Sequence, residues 1–228
     1  PGMGDAWRDH PSWELVAEAS SVLNRDLEHL LLNTEAEELT RTDNAQLSTF
    51  LTSLIVLDAV ERLGVEPAAA AGHSLGEYSA LVAANTLSFQ SALKLVQKRG
   101  ELMGTYGEGE MSAFPLAIDA IRPIAERYHC AIAGCNLPDQ TVIGGRDKDL
   151  ALVEQQVQEQ FERKTPVRLK TEGAFHTYYM VKAAQHYRAV LETAGFDLSD
   201  VRVLSNFTGA YHEPDPVGIR ARLFFQLF

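Results

Sequence analysis

Between residues 46 and 63 apolar side chains recur at Leu47, Phe50, Leu51, Leu54, Ile55, Leu57, Val60 and Leu63. Steps of three and four predict a helix, ended by Gly64. This helix is apolar around most of its circumference, which predicts an interior position in a layered α/β structure. Residues 67–71 follow as a proline and four alanines, small enough for a central strand covered on both faces. A glycine-bounded turn at 72–76 then leads into a helix over 77–85. Ser88 caps a further helix to about Met103, whose apolar stripe is Phe89, Ala92, Leu95, Val96 and Leu102.

Near residue 105 the texture changes. Gly104, Gly107 and Gly109 loosen the chain, and a compact alternation begins. Strands are predicted at 111–118, 130–135, 140–143 and 166–170, with helices at 119–129 and 147–161. That β-α-β-β-α-β order is the ferredoxin-like pattern. From Gly173 the first texture returns, with a helix over 178–194 and a strand over 201–205. A small unit (106–171) thus interrupts a larger α/β unit made of 1–105 and 172–228.

The chain has 228 residues, enough for one large domain or for one with a smaller domain inserted. Apolar residues at 46% and charged residues at 22% mark a folded protein. Twenty Lys and Arg stand against 31 Asp and Glu, a net charge of −11 that argues against binding nucleic acid or an anionic membrane surface. No apolar run approaches the roughly 18 residues that cross a bilayer; residues 47–63 are broken by Thr52, Ser53, Asp58, Glu61 and Arg62. The opening residues carry no basic segment followed by an apolar one, so no signal peptide is read. Cys130 and Cys135 sit in an apolar stretch and are expected to be buried thiols in a reducing cytosol, without disulfide or metal. A cytoplasmic protein is expected.

Gly72-His73-Ser74-Leu75-Gly76 fits G-x-S-x-G, a strand-to-helix elbow that lifts a serine hydroxyl clear of a sheet. Gly72 and Gly76 are expected to remove side chains that would collide there. Amides at the helix N-terminus, Leu75 first, would face the oxygen of a tetrahedral intermediate. The plainer reading is a turn with an idle serine. A hydroxyl nucleophile needs a base. His10, His29, His129, His186 and His212 lie in polar settings and are expected at the solvated surface, while His73 should point away from the hydroxyl. His176, in Gly173-Ala-Phe-His-Thr177, stands where the chain re-enters the large unit, and pattern alone leaves it either a base or a structural residue. Acids between Ser74 and His176 lie mostly in the inserted unit, so a Ser–His dyad oriented by a backbone carbonyl fits better than a triad. Arg99, late in the second helix after the elbow, is either solvated or aimed at a carboxylate in a cleft.

Together these residues resemble the malonyl-CoA:acyl-carrier-protein transacylase family, including the acyltransferases of polyketide synthases, over essentially the whole chain. Pro1-Gly2-Met3-Gly4 is similar to the family's P-G-Q-G opening, and Asn44-Ala45-Gln46 to its T-x-x-A/N-Q helix start. The segment Gly72-His-Ser-Leu-Gly-Glu-Tyr-Ser-Ala80 resembles the nucleophile motif nearly letter for letter. Arg99 falls at the carboxylate-binding arginine, and Asn136, Pro138, Gln140 and Val142 resemble an N-x-P-x-Q-x-V segment. Gly173-Ala-Phe-His176 resembles the catalytic-histidine motif; Ser205-Asn206-Phe-Thr-Gly209 and Gln226-Leu227 match later landmarks.

The resemblance implies an α/β-hydrolase-like large subdomain with a ferredoxin-like insertion, and a ping-pong acyltransferase of fatty-acid or polyketide biosynthesis. Ser74 would be the nucleophile and His176 the base, with the amides of Leu75 and Met3 as the oxyanion hole and Arg99 holding a malonyl carboxylate. Phe175, Asn136, Gln46 and Gln226 would shape the acyl pocket, the Gln226 carbonyl orienting His176. No permanent cofactor is implied; acyl-CoA is the substrate, and an acyl carrier protein bearing phosphopantetheine is the partner of a monomeric enzyme.

Met3 replaces the usual Gln, which leaves an unusual extender unit as an alternative to malonyl; Phe175 resembles malonyl-selective members and stand-alone acyltransferases. The family pattern implies an apolar strand ahead of Pro1, a P-V-x-W segment and glycine-rich turn beyond Phe228, and longer stretches after Gly4 and around Phe114-Pro115. Carrier proteins are acidic, so Arg163, Lys164, Arg168, Lys170, Lys182 and Arg188 are expected to form a local basic face. Two other functions stay open: a serine hydrolase, including a proofreading acyl hydrolase, which has no use for Arg99, and a binding module that never acylates Ser74.

Overall fold

A computed structural model describes residues 2–228, so Pro1 of the opening motif lies outside the described residues. In chain order the elements are α1 (Glu14–Leu23), α2 (Leu27–Leu32), α3 (Ala36–Leu39), α4 (Thr42–Glu61), β1 (Ala69–Ala70), α5 (Gly76–Ala83), α6 (Phe89–Tyr106), β2 (Glu110–Phe114) and α7 (Ile118–Arg127). There follow β3 (Ala131–Leu137), β4 (Gln140–Gly145), α8 (Asp147–Gln160), β5 (Val167–Arg168), α9 (Val181–Thr193), β6 (Arg202–Val203) and α10 (Pro216–Phe225). Two compact units emerge. One runs to Glu101 and resumes over Tyr187–Gln226; the other is Leu102–His186 with Leu227–Phe228. Two of the three divisions fall inside helices, α6 and α9, and the third follows α10. The glycine-rich change of texture begins at Gly104, which α6 runs through, so that glycine does not loosen the chain as expected.

In the first unit, α4 buries Leu47, Phe50, Leu51, Leu54 and Ile55, and α5 and α6 bury Tyr78, Leu81, Leu93 and Val96. The second half of α4 departs from expectation: Val56 and Val60 are exposed, so its apolar circumference is only partly used. Residues β1 and β6 pair in parallel, Ala69 with Arg202 and Ala70 with Val203. Strand β1 is shorter than the alanine run and lies open rather than covered on both faces, since alanine gives a strand little side chain to pack. Ser88 caps α6 as expected, its Oγ accepting the Ser91 N–H at 3.2 Å.

The second unit has the expected β-α-β-β-α-β order, with a sheet ordered β3-β4-β2-β5 and every pair antiparallel. Alternation along the strands divides its side chains. Phe114 and Ile143 join Ile121, Ile124, Leu150, Val153 and Val157 of α7 and α8 in one core. Met111 and Val142 join Ala174 in a second cluster. Strand β2 ends at Phe114 because Pro115 has no N–H and the Leu116 amide turns back to the Phe114 carbonyl at 2.8 Å.

Two expectations fail here. Arg168 is not available to a basic face: Glu154 (2.8 Å), Asp147 (2.9 Å) and Glu110 all pair with it. The hydrogen bond to Glu154, above all, raises its pKa. Lys182 lies over the Tyr106 ring at 5.0 Å, and in the first unit Arg188 pairs with Glu192 at 3.0 Å. Cys135 is exposed, although Cys130 is buried. Strand β3 ends with Cys135, Asn136 and Leu137 all in solvent, where its register with β4 is irregular. Burial pushes the Cys130 thiol up to about 11. At about pH 8, iodoacetamide should therefore modify one thiol of the native protein, mapped to Cys135, and the second only after unfolding. Equal labelling of both native cysteines would contradict this packing.

Candidate active site

The elbow lies between β1 and α5. Ser74 has φ +50°, the left-handed region that non-glycine residues occupy at a cost of about 1–3 kcal/mol. A Cβ on Gly72 would meet the Gly76 carbonyl oxygen at 2.0 Å, so only glycine fits there. Gly76 is different from expectation, since a Cβ there meets nothing within 4 Å. It is the first residue of α5, and the Leu75 amide precedes that helix, where amides lack intrahelical acceptors.

Side chains fix the peptide groups of Ser74. Its N–H donates to Asn206 Oδ1 at 2.7 Å, and its carbonyl accepts from Gln226 Nε2 at 3.0 Å. Asn206 Nδ2 also donates to the Gly72 carbonyl at 2.6 Å. Behind both stands Glu77, fully buried. Its Oε2 accepts from Gln226 Nε2 at 2.7 Å and from the Asn206 amide at 3.0 Å. Its Oε1 lies 2.7 Å from His212 Nε2. The His212 side chain is 4% exposed, so the expectation of a solvated histidine is overturned: a buried carboxylate needs donors, and this imidazole is one.

Arg99 is 1% exposed, which decides against the solvated reading. A Cβ on the next residue, Gly100, would lie 2.8 Å from Asp43 Cα, so glycine lets α6 approach α4, which carries Gln46. Arg99 Nη1 donates to Gln46 Oε1 at 2.6 Å; Nη2 donates to Ser74 Oγ at 3.0 Å and to Gln226 Oε1 at 3.2 Å. These acceptors are all neutral, and among the described residues no carboxylate lies within ion-pairing distance of the guanidinium. The Tyr78 ring centroid lies 5.8 Å from the Arg99 Cζ. The Tyr187 hydroxyl lies 3.0 Å from that of Tyr78 and 3.2 Å from the Leu95 carbonyl. Burial pushes the Tyr78 phenol up to about 12, so it stays neutral in neutral solution.

The structure therefore brings Ser74, Arg99, Gln46 and Gln226 together in the first unit. Met3, 37% exposed, lies in the turn before the short helix Asp5–Trp7. His73 is exposed. The second unit holds His176, Phe175 and Asn136. His176 has φ +59°, and its N–H donates to the Leu227 carbonyl at 3.1 Å. The next residue, Thr177, caps the turn Tyr178–Met180. Phe175 packs against the Met111, Val142 and Ala174 cluster, and Asn136 is exposed at the end of β3. Among the described residues no group of His, Cys, Asp and Glu could hold a metal ion, and no helix is long and apolar enough to cross a membrane.

Sequence reading missed Glu77, Asn206 and His212. The signal for the first was at hand: an acid three residues past the serine, on the inward side of a short apolar helix.

A family profile described as acyl transferase domain matches residues 14–211. The malonyl CoA-acyl carrier protein transacylase of Bacillus subtilis (strain 168) is 36% identical over 223 residues, spanning 94% of this chain and 70% of that protein. A malonyl CoA-acyl carrier protein transacylase structure from Burkholderia pseudomallei superposes with a TM-score of 0.90 at 33% identity, over 99% of this chain and 78% of that one. The malonyl-transacylase solved in complex with a type II PKS acyl-carrier protein (PlMCAT:AntF, holo) gives 0.92 at 29% identity, over 99% and 76%.

The two glycines of the elbow should separate under mutation. Gly72→Ala should lower the melting temperature by several degrees, on the order of 2 kcal/mol or more, whereas Gly76→Ala should melt at or above the parent temperature. Equal melting of the two variants in a thermal scan would refute the steric assignment.

Proposed function

Because the chain belongs to the acyl transferase domain family, we propose that it transfers a malonyl group from coenzyme A to the phosphopantetheine thiol of an acyl carrier protein through an ester on Ser74. The observation that carries this reading is the buried Arg99 guanidinium, 3.0 Å from Ser74 Oγ and bonded only to neutral oxygens. A neutral ester gives no return for burying a cation, whereas an acyl group ending in a free carboxylate does.

In this reading the Ser74 oxygen adds to the thioester carbonyl as its proton passes to His176. Coenzyme A leaves as the thiol, recovering that proton, and the acyl ester remains on Ser74. The carrier thiol then gives its proton to His176 and adds to the ester carbonyl, and Ser74 departs with the proton. The amides of Leu75 and Met3 stabilise the oxyanion at each addition. The Gln226 carbonyl orients His176, while the Gln226 side chain keeps the Arg99 fork and the Ser74 carbonyl in register. Gln46 holds the other arm of the fork; Phe175 and Asn136 border the acyl group.

The same reading makes the larger part of the chain (1–105 and 172–228) an α/β-hydrolase-like subdomain and 106–171 a ferredoxin-like one. It describes a cytoplasmic monomer without a resident cofactor, acting in fatty-acid or polyketide biosynthesis. With Arg168 and Arg188 paired, the carrier protein would meet Arg163, Lys164 and Lys170.

Intact-mass measurement after mixing with acyl-CoAs tests the proposal. The parent should gain one malonyl group, lost in Ser74→Ala. Arg99→Ala should slow malonyl loading about 10- to 100-fold, the worth of a charge-assisted hydrogen-bonded contact, and leave acetyl loading far less affected. Equal slowing of both would remove Arg99 from carboxylate recognition. Turnover of neutral esters with no malonyl adduct would point to a hydrolase instead.

A further inference from the structure

We propose that His212 and Glu77 are a positioning pair for the nucleophile, an assignment that rests on Ser74 being the acylated residue. The carboxylate of Glu77 is the hub of the elbow. One oxygen receives Gln226 Nε2 and the Asn206 amide, at 2.7 and 3.0 Å. Those same two residues grip the Ser74 carbonyl and the Ser74 N–H. Through its side-chain oxygen Gln226 also receives Arg99 Nη2, so one buried acid sets the serine backbone and one arm of the guanidinium fork together.

The other oxygen belongs to His212. Arg222 Nη1 faces His212 Nδ1 at 3.5 Å, a donor opposite a ring nitrogen. That places the ring proton on Nε2, aimed at Glu77 Oε1 at 2.7 Å. Without this donor, half of a fully buried carboxylate is left unpaired. Rotation of the carboxylate toward another donor would then release Gln226 or Asn206 from Ser74. His212 reaches none of the reacting atoms; it acts through Glu77. It also lines a cavity of ≈ 510 Å³ shared with Asp197, Asp200, Arg202, Tyr211 and Glu213, so a small molecule can enter where its ring is deleted.

The test is single-turnover acylation of Ser74 with malonyl-CoA, followed by mass, for the parent, His212→Ala, His212→Gln and Glu77→Gln. Parent acylation checks the proposed function separately. His212→Ala should acylate about 10- to 100-fold more slowly at saturating malonyl-CoA, with the half-saturating concentration changed less than about twofold. Added imidazole should restore the Ala variant, and His212→Gln, which keeps a donor toward Glu77, should retain most of the parent rate. Glu77→Gln, which presents an amide N–H₂ to one of three donors, should be slower than either and should not respond to imidazole. Parent-like acylation by a folded His212→Ala, or a rate that neither imidazole nor the Gln variant restores, would overturn the pairing. If His212→Ala melts before assay, the Gln variants decide alone: a His212→Gln as slow as Glu77→Gln would equally overturn it.

Discussion

Ser74 sits in a backbone conformation that its own side chain disfavours, and the hydrogen bonds from its two peptide groups to the Asn206 and Gln226 amides hold it there. Neither bond belongs to a helix or a sheet. The elbow is a shape imposed by side chains on a short segment that β1, only two residues long, could not fix. Glu77 converts these separate bonds into one object, because the Asn206 backbone N–H and the Gln226 side-chain amide both donate to a single carboxylate oxygen. Cooperative polar networks of this kind are rigid when fully satisfied and fragile when one member is lost. Apolar burial on the neighbouring helices, at Leu47, Phe50 and Leu51 of α4 and Tyr78 and Leu81 of α5, supplies stability that offsets a strained turn.

Arg99 introduces a second unfavourable element beside the first. Taking a guanidinium out of water costs several kcal/mol, and amide or hydroxyl oxygens repay less of that than a carboxylate would. The Gln46, Gln226 and Ser74 oxygens orient the fork without neutralising it. Its Nε remains without a hydrogen-bond partner among the described residues. A guanidinium organised in advance would lose little freedom on meeting an anion, so in the proposed function much of the discrimination by charge would precede binding.

Local chemistry was legible in the chain; long-range partnership was not. The serine elbow, the burial of helix α4 near Gln46 and the β-α-β-β-α-β order follow from glycine placement and from periods of 3.6 and 2. Gly72 is needed for its lack of a side chain, but Gly76, in an equivalent place in the pattern, has open space around it. A motif letter records what a family carries and not which atoms would collide. His212 reads as a polar loop residue because its neighbours are Tyr211, Glu213 and Pro214. Its burial depends on Glu77, 135 positions away, and nothing in either local stretch encodes that meeting. The same holds in reverse for Arg168, a basic residue by composition that three carboxylates neutralise.

The side-chain clamps on Ser74 come from 132 and 152 positions further along the chain. Contacts that distant close large loops and form late, after the locally encoded helices. During synthesis the N-terminal part emerges first, so Ser74 leaves the ribosome long before Asn206 and Gln226 exist to shape its elbow. A nascent polypeptide lacking that distal stretch would carry the Ser74 alcohol without the clamps that shape its elbow. On the proposed reading, an acyl-CoA thioester would meet no shaped elbow on an unfinished chain, a consequence of chain topology alone.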